Sequence, residues 1–162
     1  MRNKNKGFTL IELLVVIAII GLLASVVLLA LNSARAKSRD AKRLADIRQI
    51  ASAMELYFND MYSYPTSSGN NAAVAFYNDA GLKSSLVPKY IGVLPQAPAP
   101  ADGSLCSSTT YGGNEYYWVG FGAGNAAAAN TNQSGYTMTF CLGAQTGGYG
   151  AGPHTLSPSG IQ

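Results

Sequence analysis

The chain opens on one hydrophobic pattern and then changes to a second and a third. From Leu13 to Leu31 nineteen residues carry no charge, and only Gly21 and Ser25 interrupt the apolar side chains. A helix of that length rises roughly 28 Å, close to the ~30 Å hydrocarbon layer of a bilayer. Beyond it the apolar positions fall to helical spacing: Leu44, Ile47, Ala51, Met54, Phe58 and Met61, widened by Ile50 and Tyr57. Steps of three and four put these on one stripe. Asp40, Arg43, Asp46 and Arg39 are expected on the polar face opposite. No proline comes before Pro65, and Pro65 disfavours helix at Tyr64. The pattern predicts one helix from about Phe8 to Ser63, on the order of 84 Å long. Its first half is apolar all round. Its second half is amphipathic and suited to docking on a folded domain.

After residue 114 the period shifts to two. EYYWVGF (115–121) is rich in strand formers, and YTMTFCL alternates Tyr136, Met138, Phe140 and Leu142 against Thr137, Thr139 and Cys141. The glycine- and alanine-rich stretch between them reads as a long hairpin loop. The fold class expected is α+β, a long N-terminal helix packed on a small antiparallel sheet, with Leu82, Leu86 and Trp118 added to the core. The domain layout expected is 1–7 leader, 8–31 membrane or filament-core helix, and 32–64 amphipathic half. Then come 65–114 as a connecting loop with a turn or two of helix near 71–83, 115–143 as the sheet, and 144–162 as a loop with at most one edge strand.

Composition and charge sharpen this picture. Only 12% of the residues are charged, about half the usual share for a soluble domain. The formal charge of +3 is unevenly spread. Arg2, Lys4 and Lys6 precede the apolar run; Arg35, Lys37, Arg39, Lys42, Arg43 and Arg48 lie after it, against Asp40 and Asp46. Cations beside an apolar span point first to a membrane surface. They carry no interleaved aromatics, so direct nucleic-acid binding is not expected. Cys106 and Cys141 with the single His154 fall short of a four-ligand zinc set. A disulfide in an exported domain is the expectation for the pair, tethering the segment before the first of these strands to the second. The glycines at 120, 122 and 124 lack the complete dinucleotide-loop pattern. Asn132-Gln-Ser134 matches an acceptor pattern for N-glycosylation that is common by chance. His154 has no serine and acid placed around it. Neither a cofactor nor a metal is expected, nor a catalytic constellation.

The stretch KGFTLIELLVV, residues 6–16, raises the sharpest question. Glu12 lies at the edge of the apolar run, where an ionised carboxylate costs several kcal/mol unless it is paired. A secretory signal has a shorter apolar core with a cleavage site beyond it. Here the break belongs before the run, between the basic leader and Phe8. The whole stretch KGFTLIELLVVIAIIGLLAS resembles the class III signal of type IV pilins and of the pseudopilins of type II secretion. That resemblance implies cleavage by a prepilin peptidase between Gly7 and Phe8, and N-methylation of Phe8. It implies that Glu12 is the assembly carboxylate, pairing with the Phe8 amine. One helical turn separates the two, and the resemblance favours the amine of a neighbouring chain. Cutting removes three cations, so the side-chain charge falls from +3 to 0.

MELYFNDMYSYP (54–65) is similar to the end of the long helix in major pseudopilins, at Tyr57, Asp60, Tyr64 and Pro65. Two family features are missing. Leu29 stands where many members have a kink-forming proline, and the distal acids Asp79, Asp102 and Glu115 are too spread to match a calcium loop. The resemblance implies a structural, non-enzymatic subunit that forms a homo-oligomeric helical filament. Such a subunit starts as a single-pass protein of the cytoplasmic membrane and ends in a periplasmic or extracellular fibre. Its implied partners are the prepilin peptidase, an inner-membrane assembly platform and minor pilins. The cysteine pair and sparse acids favour a type IV pilus; the Tyr57–Pro65 match favours a type II secretion pseudopilin. A membrane-anchored binding protein that never polymerises is the third reading.

Overall fold

A computed structural model describes residues 7–68, 73–100, 104–106, 115–121 and 134–162. Helix α1 runs Leu10–Met61 without interruption, through Gly21 and Leu29. The chain divides into two units, one up to Arg35 and one from Ala36 onward. The described part of the first is a short non-helical stretch, residues 7–9, followed by helix, and every residue from Gly7 to Arg35 is exposed. Leu10, Leu22 and Leu29 are 81%, 66% and 75% exposed.

The second unit carries the compact fold. After α1 come β1 (Val74–Ala75), a short 3-10 turn (Phe76–Asn78), α2 (Ala80–Leu86) and a second 3-10 turn (Ser104–Cys106). Next in the chain are β2 (Tyr117–Phe121), β3 (Gly135–Leu142), β4 (Gly152–Ser157) and β5 (Gly160–Ile161). The sheet is antiparallel in the order β1-β2-β3-β4-β5. Trp118 pairs with Met138, which pairs with Leu156, and these three point into the core. They meet Ile47, Ile50, Ala53 and Met54 of α1, together with Phe76, Leu82 and Leu86, all buried. Trp118 stacks on Tyr136 at 4.6 Å between ring centres, and Tyr64 meets Tyr136 edge-on at 4.8 Å. The expected α+β class, the alternation in β3 and the core roles of Leu82, Leu86 and Trp118 all appear.

Four expectations need correction. Met61 is 53% exposed. The chain reverses at Tyr62, which takes a left-handed φ of 54° and donates its N–H to the Phe58 carbonyl. That reversal lets Tyr64 cover the sheet instead, stacked on Phe58. Asp40, Arg43 and Asp46 sit on the buried side of α1, not the polar side. Residues 144–162 supply two strands. Their side chains are too polar to form a core of their own, but pairing of β4 with β3 and of β5 with β4 satisfies their backbone, and Leu156 is buried in the core with Tyr149 and Ile161 packed against it. His154 accordingly lies in β4 opposite Phe140, with its ring nitrogens facing the Gly150 and Gln162 carbonyls. The connecting stretch also contributes β1 at the sheet edge. The hairpin loop, most of the glycine loop, Asn132 and Asp102 lie outside the described residues.

Cys106 and Cys141 are joined, as expected, linking the second 3-10 turn to β3 across 35 residues. Gly147, at φ +60°, lies so close to Leu44 that a Cβ there would collide with its Cδ2, so the loop after β3 rests directly on α1. Closing a loop as long as the disulfide's stabilises a fold by about 3–4 kcal/mol in the chain-entropy model. Reduction should therefore lower the melting temperature of the second unit, monitored by the fluorescence of its one tryptophan. An unchanged melt under reducing agent would contradict that role.

Candidate functional site: the N-terminal assembly segment

The site is built from the first turn of α1. Thr9 is its N-cap, with the Thr9 carbonyl accepting from the Leu13 N–H. The Thr9 N–H and hydroxyl both donate to Glu12 Oε2, at 2.8 and 2.7 Å, and the Glu12 N–H donates to Thr9 Oγ1 at 3.3 Å. This is a reciprocal capping box, Thr-x-x-Glu. Two helix donors that would otherwise be orphaned in lipid are satisfied, and the carboxylate is held in one orientation. Around it lie Phe8, Ile11, Val15 and Val16, all exposed.

The structure places Gly7 and Phe8 just ahead of the helix, exposed and outside regular secondary structure. A cleavage position needs that accessibility. Among the described residues no hydrogen bond joins Phe8 to Glu12; the partner of the carboxylate is Thr9. In the uncut chain Phe8 N is a peptide amide, so no cation yet exists to pair with Glu12. Thr9 is the functional residue that reading the sequence missed. Its signal was present as a threonine three residues before a glutamate at the head of an apolar run.

Residues 2–28 match the prokaryotic N-terminal methylation motif. The type II secretion system core protein G of Klebsiella michiganensis is 34% identical over 113 residues, covering 68% of this chain and 80% of that protein. The protein of the same name from Vibrio cholerae is 31% identical over 153 residues, 93% of this chain and 89% of its own length. The chain belongs to the type IV pilin and pseudopilin family. No solved structure gives a significant match. As a member of that family, the chain is a structural subunit of a pilus-like filament, anchored in the membrane by its apolar N-terminal helix.

In this pilin-family chain the second unit has its own polar centre, also missed in the sequence. Asp40 and Arg43 are 0% and 1% exposed and pair at 2.7 Å. Asp40 also accepts from the Gly143 and Ala144 N–H groups, at 3.0 and 2.9 Å. Arg43 donates to the Pro98 and Pro100 carbonyls, at 2.7 and 2.9 Å. Two segments far apart in sequence, residues 98–100 and 143–144, are thus fastened to one turn of α1. Asp46 accepts from Lys42 at 2.6 Å and from the Tyr116 hydroxyl at 3.0 Å. Burial, and then the Asp46 charge, push the Tyr116 phenol well above its usual range.

The end of α1 is fastened in the same way. The Tyr64 hydroxyl donates to Glu55 at 3.0 Å, and burial with that carboxylate pushes its pKa up to about 12. Asp60 accepts from Lys89 at 2.7 Å and from the Tyr90 hydroxyl at 2.9 Å, and these bonds hold its carboxyl below the usual range. Asp60 and Tyr64, singled out by resemblance, therefore hold the connecting segment and the turn to the helix.

Asp40→Asn removes the charge of a buried carboxylate that pairs with Arg43 and accepts from two backbone N–H groups, a loss of about 3–5 kcal/mol. The variant should melt far below wild type while still inserting in the membrane. A wild-type melting temperature would show that the pair does not hold the fold.

Proposed function

We propose that this chain is a major-type pseudopilin of a type II secretion system, cut after Gly7, N-methylated on Phe8 and polymerised through α1. The observation that carries this reading is the similarity to core protein G over nearly the whole chain, well beyond the common N-terminal motif. It outweighs the cysteine pair and sparse acids, which favour a surface pilus. A membrane-anchored binding protein that stays a monomer uses the apolar half of α1 as its anchor but gives the Glu12 charge no partner.

Cleavage converts the Phe8 amide to an amine, and N-methylation leaves that amine basic. A protonated amine then stands one helical turn from Glu12. Charges buried in lipid are favourable only when paired, so the amine of an adjacent subunit offers Glu12 a partner that the uncut chain lacks. The capping box keeps the carboxylate aimed until then. Processing becomes the switch for assembly. The prepilin peptidase, an inner-membrane platform and minor pilins are the partners that such a route requires. The chain has a structural role and no catalytic one, and its filament stands in the periplasm.

A strain lacking this chain should lose export of its type II substrates and keep any surface pili. Complementation should restore export, and mass spectrometry of the restored subunit should read N-methyl-Phe8 as its first residue. Retained export in the deletion strain would overturn the secretion reading. An intact Met1 beside an active peptidase would overturn the processing step.

A further inference from the structure

We infer that a cavity beside α2 is a binding site for a short peptide segment carrying a carboxylate next to an apolar side chain. The cavity holds about 320 Å³ and lies wholly within the second unit, between the first 3-10 turn, α2 and residues 92–94. That volume is at the small end of ligand pockets, roughly 300–1,000 Å³, and suits one or two side chains. Tyr77, Asn78 and Lys83 form the polar part of its wall, and Val87, Val93 and Leu94 the apolar part.

The polar part consists of uncommitted donors. The Tyr77 hydroxyl, the Asn78 carboxamide and the Lys83 ammonium are exposed, and none has a hydrogen-bond or ion-pair partner among the described residues. No carboxylate lines the cavity among those residues. Asp79, next to Asn78, is engaged by Ser68 and the Leu82 N–H. From Gln49 onward the only cations are Lys83 and Lys89, and Lys89 is held by Asp60. Lys83 is therefore a charge that the fold leaves unanswered at the mouth of a cavity. A carboxylate suits all three donors together, because its two oxygens accept about four hydrogen bonds.

The apolar part points to a peptide in place of a bare anion. Val93 is 66% exposed and adjoins Val87 and Leu94 in the wall. Gly92 completes that wall. Gly92 and Val93 are exposed and outside regular secondary structure, and their backbone groups make no hydrogen bond among the described residues. A passing peptide can pair its backbone there, rest an apolar side chain on Val93 and reach Lys83 with its carboxylate. The walls are preformed, which lowers the ordering cost of binding. Leu82, Leu86, Ile91 and Leu94 are anchored in the core, and the Tyr90 and Ile91 N–H groups donate to the Leu86 carbonyl at 2.9 and 3.2 Å. The site needs only the fold of the second unit and is indifferent to whether the filament serves secretion or a surface pilus.

The test uses the full chain, isotope-labelled in detergent micelles, titrated with acetyl-Leu-Asp-Val-amide or acetyl-Leu-Asn-Val-amide and followed by the NMR shifts of its backbone amides. The aspartyl peptide should shift Tyr77, Asn78, Gly92 and Val93 and bind about fivefold more tightly than the asparaginyl one, the upper range for an exposed ion pair. Lys83→Gln should erase that preference without weakening the asparaginyl peptide. Val93→Ser should weaken both peptides. Arg48→Gln, at an exposed cation outside the cavity, should keep the preference. Absence of shifts at these amides, equal binding of the two peptides by wild type, or an undiminished preference in Lys83→Gln would overturn the site. So would a matching loss in Arg48→Gln. Displacement of the peptide by an equal concentration of acetate would overturn the peptide as occupant. Concentration-dependent shifts of the same amides without peptide would overturn it as well, assigning the cavity to a second copy.

Discussion

The apolar first half of α1 is exposed among the described residues. From Phe8 to Leu31 the large side chains are exposed, at a cost of about 25 cal/mol for each Å² left in water. Such a surface is stable only in lipid or against copies of itself. Both environments suit a helix that is apolar on every side and satisfies its own backbone. Membrane insertion and polymerisation are therefore two solutions of one problem, and moving between them exchanges lipid contacts for helix contacts. That exchange has little hydrophobic driving force of its own. Direction must come from a polar interaction available in one environment and not the other.

The second unit is built to survive that transfer as a rigid body. Its core is small, and aromatic rings fill much of it: Phe76, Trp118, Tyr136, Phe140 and Tyr64. Polar and covalent fasteners complete it. Asp40 and Arg43 gather residues 98–100 and 143–144 onto α1, and the disulfide gathers the turn at Cys106. A buried ion pair adds little net stability over an apolar equivalent. It does fix which backbone segments meet the helix, because only those carbonyls and N–H groups complete its bonds.

Much of this was legible in the sequence for identifiable reasons. A change of hydrophobic period from continuous to helical to alternating marked out the helix and the central strands, because burial of one face enforces period. Two cysteines in an exported chain pointed to the disulfide. The inward charges were not legible, since the i,i+3 spacing of Asp40 and Arg43 equally suits a solvated face. Their burial depends on backbone groups more than fifty residues away. The strands in 144–162 were hidden for a related reason. A glycine-, serine- and proline-rich segment shows no apolar alternation, yet an edge already formed by β3 can order it through hydrogen bonds. The N-terminal motif was plain, but its glutamate was read only for its charge. The capping box shows a second use of the same carboxylate.

Those two uses of Glu12 can be separated. Glu12→Gln keeps an oxygen that accepts from the Thr9 N–H and removes the charge that would meet a neighbour's Phe8 amine. The most direct measurement is filament yield from a Glu12→Gln strain, with subunit levels in the membrane and processing at Phe8 matched to wild type. Charge pairing as the driver of assembly predicts filaments reduced at least about tenfold, the loss of on the order of 1.4 kcal/mol or more per contact. Wild-type yield from Glu12→Gln would contradict it and leave the glutamate as a helix cap alone.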